Sequence, residues 1–315
     1  MLEDRDRRAS PGRGEATAGP DGAEAERGGG AGAGGTDSPD DMASAGARRT
    51  IPERFLDRIR MSVPVRHNPT LRAILEAVDE DDELYALWIA ANVNAVDRLD
   101  MTDHGPVHVK IVTNIAVRLL RLLHDRGVEA SVVRDYGLEP VDAEVVVALA
   151  ALFHDVGMAI HRSDHESYSL FVAQPKLTAL LADHYDVRTA TILRSEIQHA
   201  IIAHRAGGRP LTLEAGIVRI ADALDIAKGR SRIPFEAGSV SIHSISAAAI
   251  EGVRIEPGET TPVRITIEMT NSAGVFQLDQ LFRDKLAGSG LEPYVEVEAR
   301  IEGETEKRLV TGFRL

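Results

Sequence analysis

The sequence predicts a mainly α-helical protein: a helical domain over residues 51–232, a small α+β domain over 233–315, and a tail of fifty residues in front. Three observations predict it. From Ile51 to about Ala227 the apolar residues recur at helical spacing, and after Arg232 they alternate with period two. Residues 1–50 hold eleven glycines and ten alanines and no Val, Ile, Phe, Tyr or Trp. Such a segment cannot bury enough apolar surface to offset chain entropy, so it is expected to be disordered.

The elements follow in order. Asn68-Pro69 supplies an N-cap and a first-turn proline for the run Thr-Leu-Arg-Ala-Ile-Leu-Glu-Ala-Val. Residues 80–99 form one longer helix, with Leu84, Leu87, Trp88, Ala91 and Ala95 on one stripe. His104-Gly105-Pro106 opens a helix to about His124, and further helices are expected near 142–157, 163–174, 186–205 and 212–227. Beyond Arg232, residues 240–246 and 263–269 alternate as strands. A short amphipathic helix over 276–287 ends at Gly288-Ser-Gly290, and strands at 294–301 and 308–313 form a hairpin across Glu302-Gly-Glu-Thr-Glu.

Composition narrows the chemistry. The absence of cysteine removes disulfides, thiolate metal sites and cysteine nucleophiles together, leaving nitrogen and oxygen ligands. A net charge of −13 opposes a general nucleic-acid surface, although one local basic cluster still suffices to hold a phosphate. The N-terminal residues lack the apolar stretch of a signal peptide, and no run approaches the roughly 18 apolar residues of a membrane span. A soluble, cytoplasmic protein is expected.

His154-Asp155 is the most informative pair. It ends the run 145–153, which is apolar on every face and therefore expected to be buried. An unpaired buried carboxylate costs several kcal/mol or more, and a metal ion is one of the few partners that offsets this. Adjacent helical residues diverge by about 100°, which suits two ligands reaching one ion better than a mutual hydrogen bond. His108 lies on an apolar stripe with Ile111, Val112, Ile115 and Leu119. His204 continues the stripe of Leu193, Ile197, Ala200 and Ile201, whereas His199 falls on the other side. Asp222 interrupts an apolar helix, with Asp225 one turn later as its rival. His104, His161 and His165 complete the set, and Lys228, Arg230 and Arg232 form a basic cluster just beyond Asp222. Cations at a helix C-terminus are favoured by the dipole alone, so that cluster has a structural as well as a phosphate-binding reading.

This ordered set resembles the HD-domain metal-dependent phosphohydrolases, over roughly residues 100–230. Those enzymes are similar in carrying a His on one helix, a His-Asp doublet on a second, further histidines and a distal Asp. The resemblance implies an all-helical HD-type metal-binding domain with His108, His154, Asp155 and Asp222 as ligands of one divalent transition metal. It implies one ion or two, with His165 and His204 as the ligands of the second. The ions are Mn, Fe, Co, Ni or Zn, among which mixed imidazole and carboxylate ligands do not choose. His161 takes the place of a proton donor or phosphate contact, while His104, Lys228 and Arg230 are candidates for touching substrate. The Ala-Asp-x-x-Asp order favours Asp222 over Asp225.

The implied activity is hydrolysis of a phosphate ester, on a nucleotide or related small phosphorylated metabolite, by metal-activated water. The alternative is a non-enzymatic metal- or nucleotide-binding regulatory protein on the same scaffold, in which the α+β domain serves self-assembly or partner binding. Metal-dependent oxygen chemistry is a third reading. The stretch Ala-Gly-Gly-Arg-Pro stands where the cyclic-dinucleotide branch of the family carries Gly-Tyr-Pro, which argues against that substrate.

Overall fold

The computed structural model describes residues 58–205, 207–226, 249–275, 278, 283–301 and 313–314. The tail, the basic cluster Lys228, Arg230 and Arg232, the strand expected at 240–246, the boundary at 232 and the hairpin turn lie outside the described residues. What is described is mainly α, with a small sheet at the C-terminal end.

Helix α1, Pro69–Glu80, starts as its sequence dictates: Asn68 Oδ1 accepts from the Leu71 N–H at 2.9 Å, and Pro69 occupies the first turn. Asp81 caps α2, Asp82–Asn92, by accepting from the Leu84 N–H. The single helix expected over 80–99 instead begins at Asp82 and passes into a π-helical stretch, Val93–Arg98. That wider turn lets the Asn94 amide donate to the Met158 carbonyl at 2.7 Å and also to the Ala159 carbonyl.

Helix α3 runs Pro106–Asp125, α4 Ser131–Tyr136, α5 Pro140–Phe153, α6 His165–Ala182, α7 Val187–Ala203 and α8 Leu213–Ala223. Between α5 and α6 a single 3-10 turn, Val156–Ala159, reverses the chain. Helix α5 is the axis of the molecule. Every residue from Ala143 to Phe153 is buried, and α3, α7 and α8 pack around it. The Trp88 indole donates to the Leu152 carbonyl at 3.0 Å, tying α2 to the end of α5.

Two further helices depart from expectation. Helix α6 continues through Pro175 to Ala182 instead of stopping near 174. The proline leaves the Phe171 carbonyl without its helical donor, and Phe171 is 75% exposed, so the interruption falls on the solvent side. Helix α4 has no periodicity long enough to announce it. It is held from a distance: buried Glu214 on α8 accepts from the Val132 N–H at 2.9 Å, and Gly137 ends the helix in the left-handed region.

The sheet has order β1-β2-β3-β4, with β1 at Ile250–Pro257, β2 at Val263–Met269, β3 at Val295–Ile301 and β4 at Phe313–Arg314. β1 pairs antiparallel with β2, β2 parallel with β3, and β3 antiparallel with β4. Strand β1 was not expected, because a bulge between Ile250 and Gly252 breaks its alternation. Of the helix expected over 276–287, the segment α9, Asp284–Leu286, is described. The sheet shares one apolar core with the helices: Ile250, Ile255, Val263 and Ile265 belong to the same cluster as Leu149 and Phe153. The Arg118 guanidinium, on α3, donates to the Ile255 carbonyl at 2.6 Å and fastens β1 to that helix. Where the turn after α9 meets α8, a Cβ on Gly216 would lie 2.2 Å from the Ser289 carbonyl oxygen, so only glycine permits the contact.

Candidate metal centre

Five segments converge below the C-terminal end of α5. His108 comes from the first turn of α3, His154 and Asp155 from the end of α5, His165 from the start of α6, His204 from the end of α7, and Asp222 from the last turn of α8. Helix ends, unlike helix middles, can direct side chains from several axes at one point. The doublet is fixed to α6 by Ser169, whose hydroxyl donates to the His154 carbonyl at 2.7 Å while accepting from the Gly157 N–H at 2.8 Å.

Asp155 is 3% exposed and sits between two groups of potential ligands. Its Oδ2 lies 3.2 Å from His154 Nε2 and 3.4 Å from His108 Nε2. Its Oδ1 lies 3.0 Å from His165 Nε2 and 3.6 Å from His204 Nε2. Asp222 joins the first group through Oδ1, 3.6 Å from His108 Nε2 and 3.8 Å from His154 Nε2. Ligand atoms of His108, His154, Asp155 and Asp222 thus fall within 4.8 Å of one another, as do those of Asp155, His165 and His204. Asp155 is common to both groups.

The donor set can be tested for its fit to a cation. Each histidine is committed at Nδ1: His154 to the Ala151 carbonyl at 2.7 Å, His204 to the Ile201 carbonyl at 2.6 Å, and His165 to the Arg162 carbonyl at 3.0 Å. His108 Nδ1 donates to Asp225 Oδ2 at 2.6 Å. These carbonyls and this carboxylate only accept, so in His108, His154 and His204 Nδ1 carries the proton and each neutral ring presents a lone pair at Nε2, whereas at His165 the Arg162 guanidinium also lies 3.0 Å from Nδ1. The lone pairs face one another, at 3.2 Å for His108 and His154, and face the oxygens of Asp155. Imidazoles and carboxylates gathered in a buried site favour a cation, be it a proton or a metal, and the committed Nδ1 atoms of His108, His154 and His204 are the arrangement that orients imidazole metal ligands. The residues fit a divalent metal.

The titration directions show how strongly the two carboxylates call for positive charge in the cluster. Burial disfavours charge on His154, yet the Asp155 and Asp222 carboxylates outweigh it and raise its pKa to about 10. Burial equally disfavours the Asp155 carboxylate, but His154, His108 and His165 hold it well below its usual range. Asp222 is held low against burial by Lys285 first and His154 next. Burial pushes His204 the other way, below the usual imidazole value, and favours its neutral, ligating form.

The rivals left open by sequence separate here. Asp222 faces the cluster, whereas Asp225 sits behind His108 and orients its ring. His204 enters the site, while His199 accepts from the Leu211 N–H at 2.9 Å and holds the loop before α8. His104 is buried beside the site, with Nδ1 donating to the Thr102 carbonyl and Nε2 3.9 Å from Asp155 Oδ2. The Asn92 amide oxygen accepts from the His104 N–H at 3.0 Å and sets that loop. The structure does not bring His161 to the cluster. Its ring is exposed on the loop before α6 and accepts from the Ser163 N–H at 3.0 Å.

A cavity of about 340 Å³ opens onto these groups, with Met101, His104, Arg162, Glu166, Arg205 and Lys285 on its walls. Sequence reasoning missed Arg162, Arg205 and Lys285. Arg162 and Arg205 are single cations on loops, and Lys285 comes from α9, 63 residues beyond the Asp222 it bonds. No local pattern marks any of them. Among the described residues no helix is long and apolar enough to cross a membrane.

Comparison with known proteins agrees with this geometry. The HD domain matches residues 107–227, which contain all six clustered residues from His108 to Asp222. The chain is also 40% identical over 214 residues to the uncharacterized protein MJ1020 of Methanocaldococcus jannaschii, across 68% of this chain and 83% of that protein. With the doublet, the converging histidines and the distal Asp in place on helix ends, the chain belongs to the HD domain family.

Proposed function

We propose that the chain is a metal-dependent hydrolase of a phosphate ester, acting on a nucleotide or a related small phosphorylated metabolite with two divalent ions at its centre. One observation carries the reading: the two oxygens of Asp155 face separate ligand groups, so a single carboxylate can bridge two ions. His108, His154 and Asp222 would complete one site, and His165 and His204 the other. Mn, Fe, Co, Ni and Zn all suit these ligands.

Bound ions supply hydroxide at neutral pH by acidifying water, and charge to offset that of the phosphoryl oxygens. The protein does the rest. Asp225 and the backbone carbonyls at 151 and 201 hold the imidazoles of His108, His154 and His204 in their ligating tautomer. His104, with Nδ1 committed, offers Nε2 to a proton in the cavity. Arg162, Arg205 and Lys285 set positive charge on the walls of a cavity in an otherwise acidic protein, which favours an anionic ligand. A new P–O bond from water forms as the bond to the leaving group breaks, and the water's proton is passed to the departing oxygen. The cavity volume suits a metabolite in preference to a polymer. Lys228 and Arg230 remain candidates for touching substrate.

The test is turnover of a panel of phosphorylated metabolites by protein loaded in turn with each of the five metals. Release of phosphate or of a phosphomonoester by wild type and not by Asp155→Ala supports the reading. A metal-loaded protein that binds panel members and turns none over supports the regulatory alternative.

A further inference from the structure

We propose that Lys285 binds the substrate's phosphoryl group at the metal centre, and that Arg219 acts as its positioning residue. The inference rests on the hydrolase reading above and extends it to a part of the chain beyond the HD match, which ends at residue 227.

Lys285 reaches the centre from α9. Its ammonium donates to Asp222 Oδ2 at 3.0 Å and to the His204 carbonyl. Oδ2 is the Asp222 oxygen turned away from the histidines, since Oδ1 faces His108 and His154. An ammonium has three donors. Two are used among the described residues, and the side chain lines the cavity at 18% exposure, so the third is available to a ligand there. A phosphoryl group spreads its charge over oxygens that only accept. Arg162 and Arg205 share the cavity but are exposed, whereas Lys285 is largely shielded and acts at a lower local dielectric.

The placement of Lys285 is enforced from behind. Arg219, buried in α8 at 2% exposure, donates through Nε to the Lys285 carbonyl at 2.7 Å and through Nη2 to the Asp284 carbonyl at 3.0 Å. Its Nη1 donates to the Arg205 carbonyl at 3.0 Å and to the Gly208 carbonyl. One rigid guanidinium fork therefore locks α9 to the loop that follows His204. The contact of Gly216 with Ser289 holds the next turn of the segment on the same helix. A cation fixed in advance, on a backbone that need not reorganise, is the arrangement that stabilises charge best.

The experiment titrates inorganic phosphate into the Mn-loaded full-length protein by calorimetry, with metal content measured on the same samples. Lys285→Ala is expected to keep its metal and lose phosphate affinity about tenfold or more, the scale of one charged hydrogen bond. Lys285→Arg is expected to recover much of it. Arg219→Lys should weaken phosphate binding in the wild-type background and add nothing to Lys285→Ala, because it acts through Lys285. Unchanged phosphate affinity in metal-replete Lys285→Ala overturns the proposal. So does loss of metal by that variant, which would make Lys285 a support for Asp222 alone. A wild type that takes up no metal would instead sink the hydrolase reading, and this inference with it.

Discussion

Substituting Gly157 by alanine should open one half of the metal centre and leave the other half standing. Gly157 lies in the 3-10 turn directly after the doublet, and α6 crosses it at backbone contact. A Cβ there would sit 2.1 Å from the His165 carbonyl oxygen and 2.4 Å from the Ser169 nitrogen. Both neighbours are backbone, so no side chain can rotate away. Restoring an ordinary 3.4 Å contact from 2.1 Å requires a shift of about 1.3 Å between the turn and the start of α6. His165 heads that helix and lies 3.0 Å from Asp155 Oδ1. Metal–ligand bonds tolerate deviations of only about 0.2 Å. A displacement several times larger should therefore cost the proposed second ion of His165 and His204, while the ion that His108, His154 and Asp222 would hold, on other elements, stays. Overpacking of this kind costs about 1–3 kcal/mol, or a fall in Tm of roughly 2–12 °C at about 2–4 °C per kcal/mol. The assay is metal stoichiometry by mass spectrometry beside a thermal melt. Serine 169 supplies the control: Ser169→Ala removes two hydrogen bonds without adding volume, and should lower Tm while altering stoichiometry less. A Gly157→Ala protein with unchanged Tm and a full complement of metal would refute the argument.

Asp225→Ala should weaken metal binding by about 10–100-fold, because it frees the His108 ring without removing a ligand; competition with a chelator measures it, and wild-type affinity would contradict it. Glu144, far from the centre, should give the fold an acid-sensitive component. Burial opposes its charge, but hydrogen bonds from Arg121, His67 and Asn68 outweigh that and lower its pKa below the usual 4.5. A depressed folded pKa means a stabilisation fully present above about pH 4.5 and lost as pH falls through the folded value. Glu144→Gln should therefore melt below wild type at pH 7, by about 1–3 kcal/mol, and the gap should narrow in acid below pH 4.5; a gap that widened there would reverse the assignment.

Much of the site was legible because its ligands are set by helical period. His108 and His204 fall on the apolar stripes of α3 and α7, and the doublet closes α5, which is buried on all faces. Asp222 and Asp225 share one face at one-turn spacing, so helical period narrowed the choice to these two, the family resemblance favoured Asp222, and the coordinates put Asp222 in the cluster and Asp225 behind His108. What escaped depends on contacts distant in sequence. Helix α4 is too short to stand alone and is capped by Glu214 from α8. Strand β1 loses its alternation to a bulge. The π turn after α2 exists to let Asn94 reach the 3-10 turn, and nothing within residues 93–98 signals that. Lys285 is placed by Arg219, a buried arginine in α8 whose partners include the Lys285, Asp284 and Arg205 carbonyls on other segments. Proximity to the doublet suggested His161, but the exposed loop carries its ring outside the cavity.

The proposal that Asp155 would serve two ions is tested most directly by anomalous diffraction at the metal edge from crystals of the metal-loaded protein. The account predicts two peaks, one among His108, His154, Asp222 and Asp155 Oδ2, the other among His165, His204 and Asp155 Oδ1, each with ligand bonds of about 2 Å. A single peak, with the His165 and His204 rings more than about 4 Å from any second density, would contradict it.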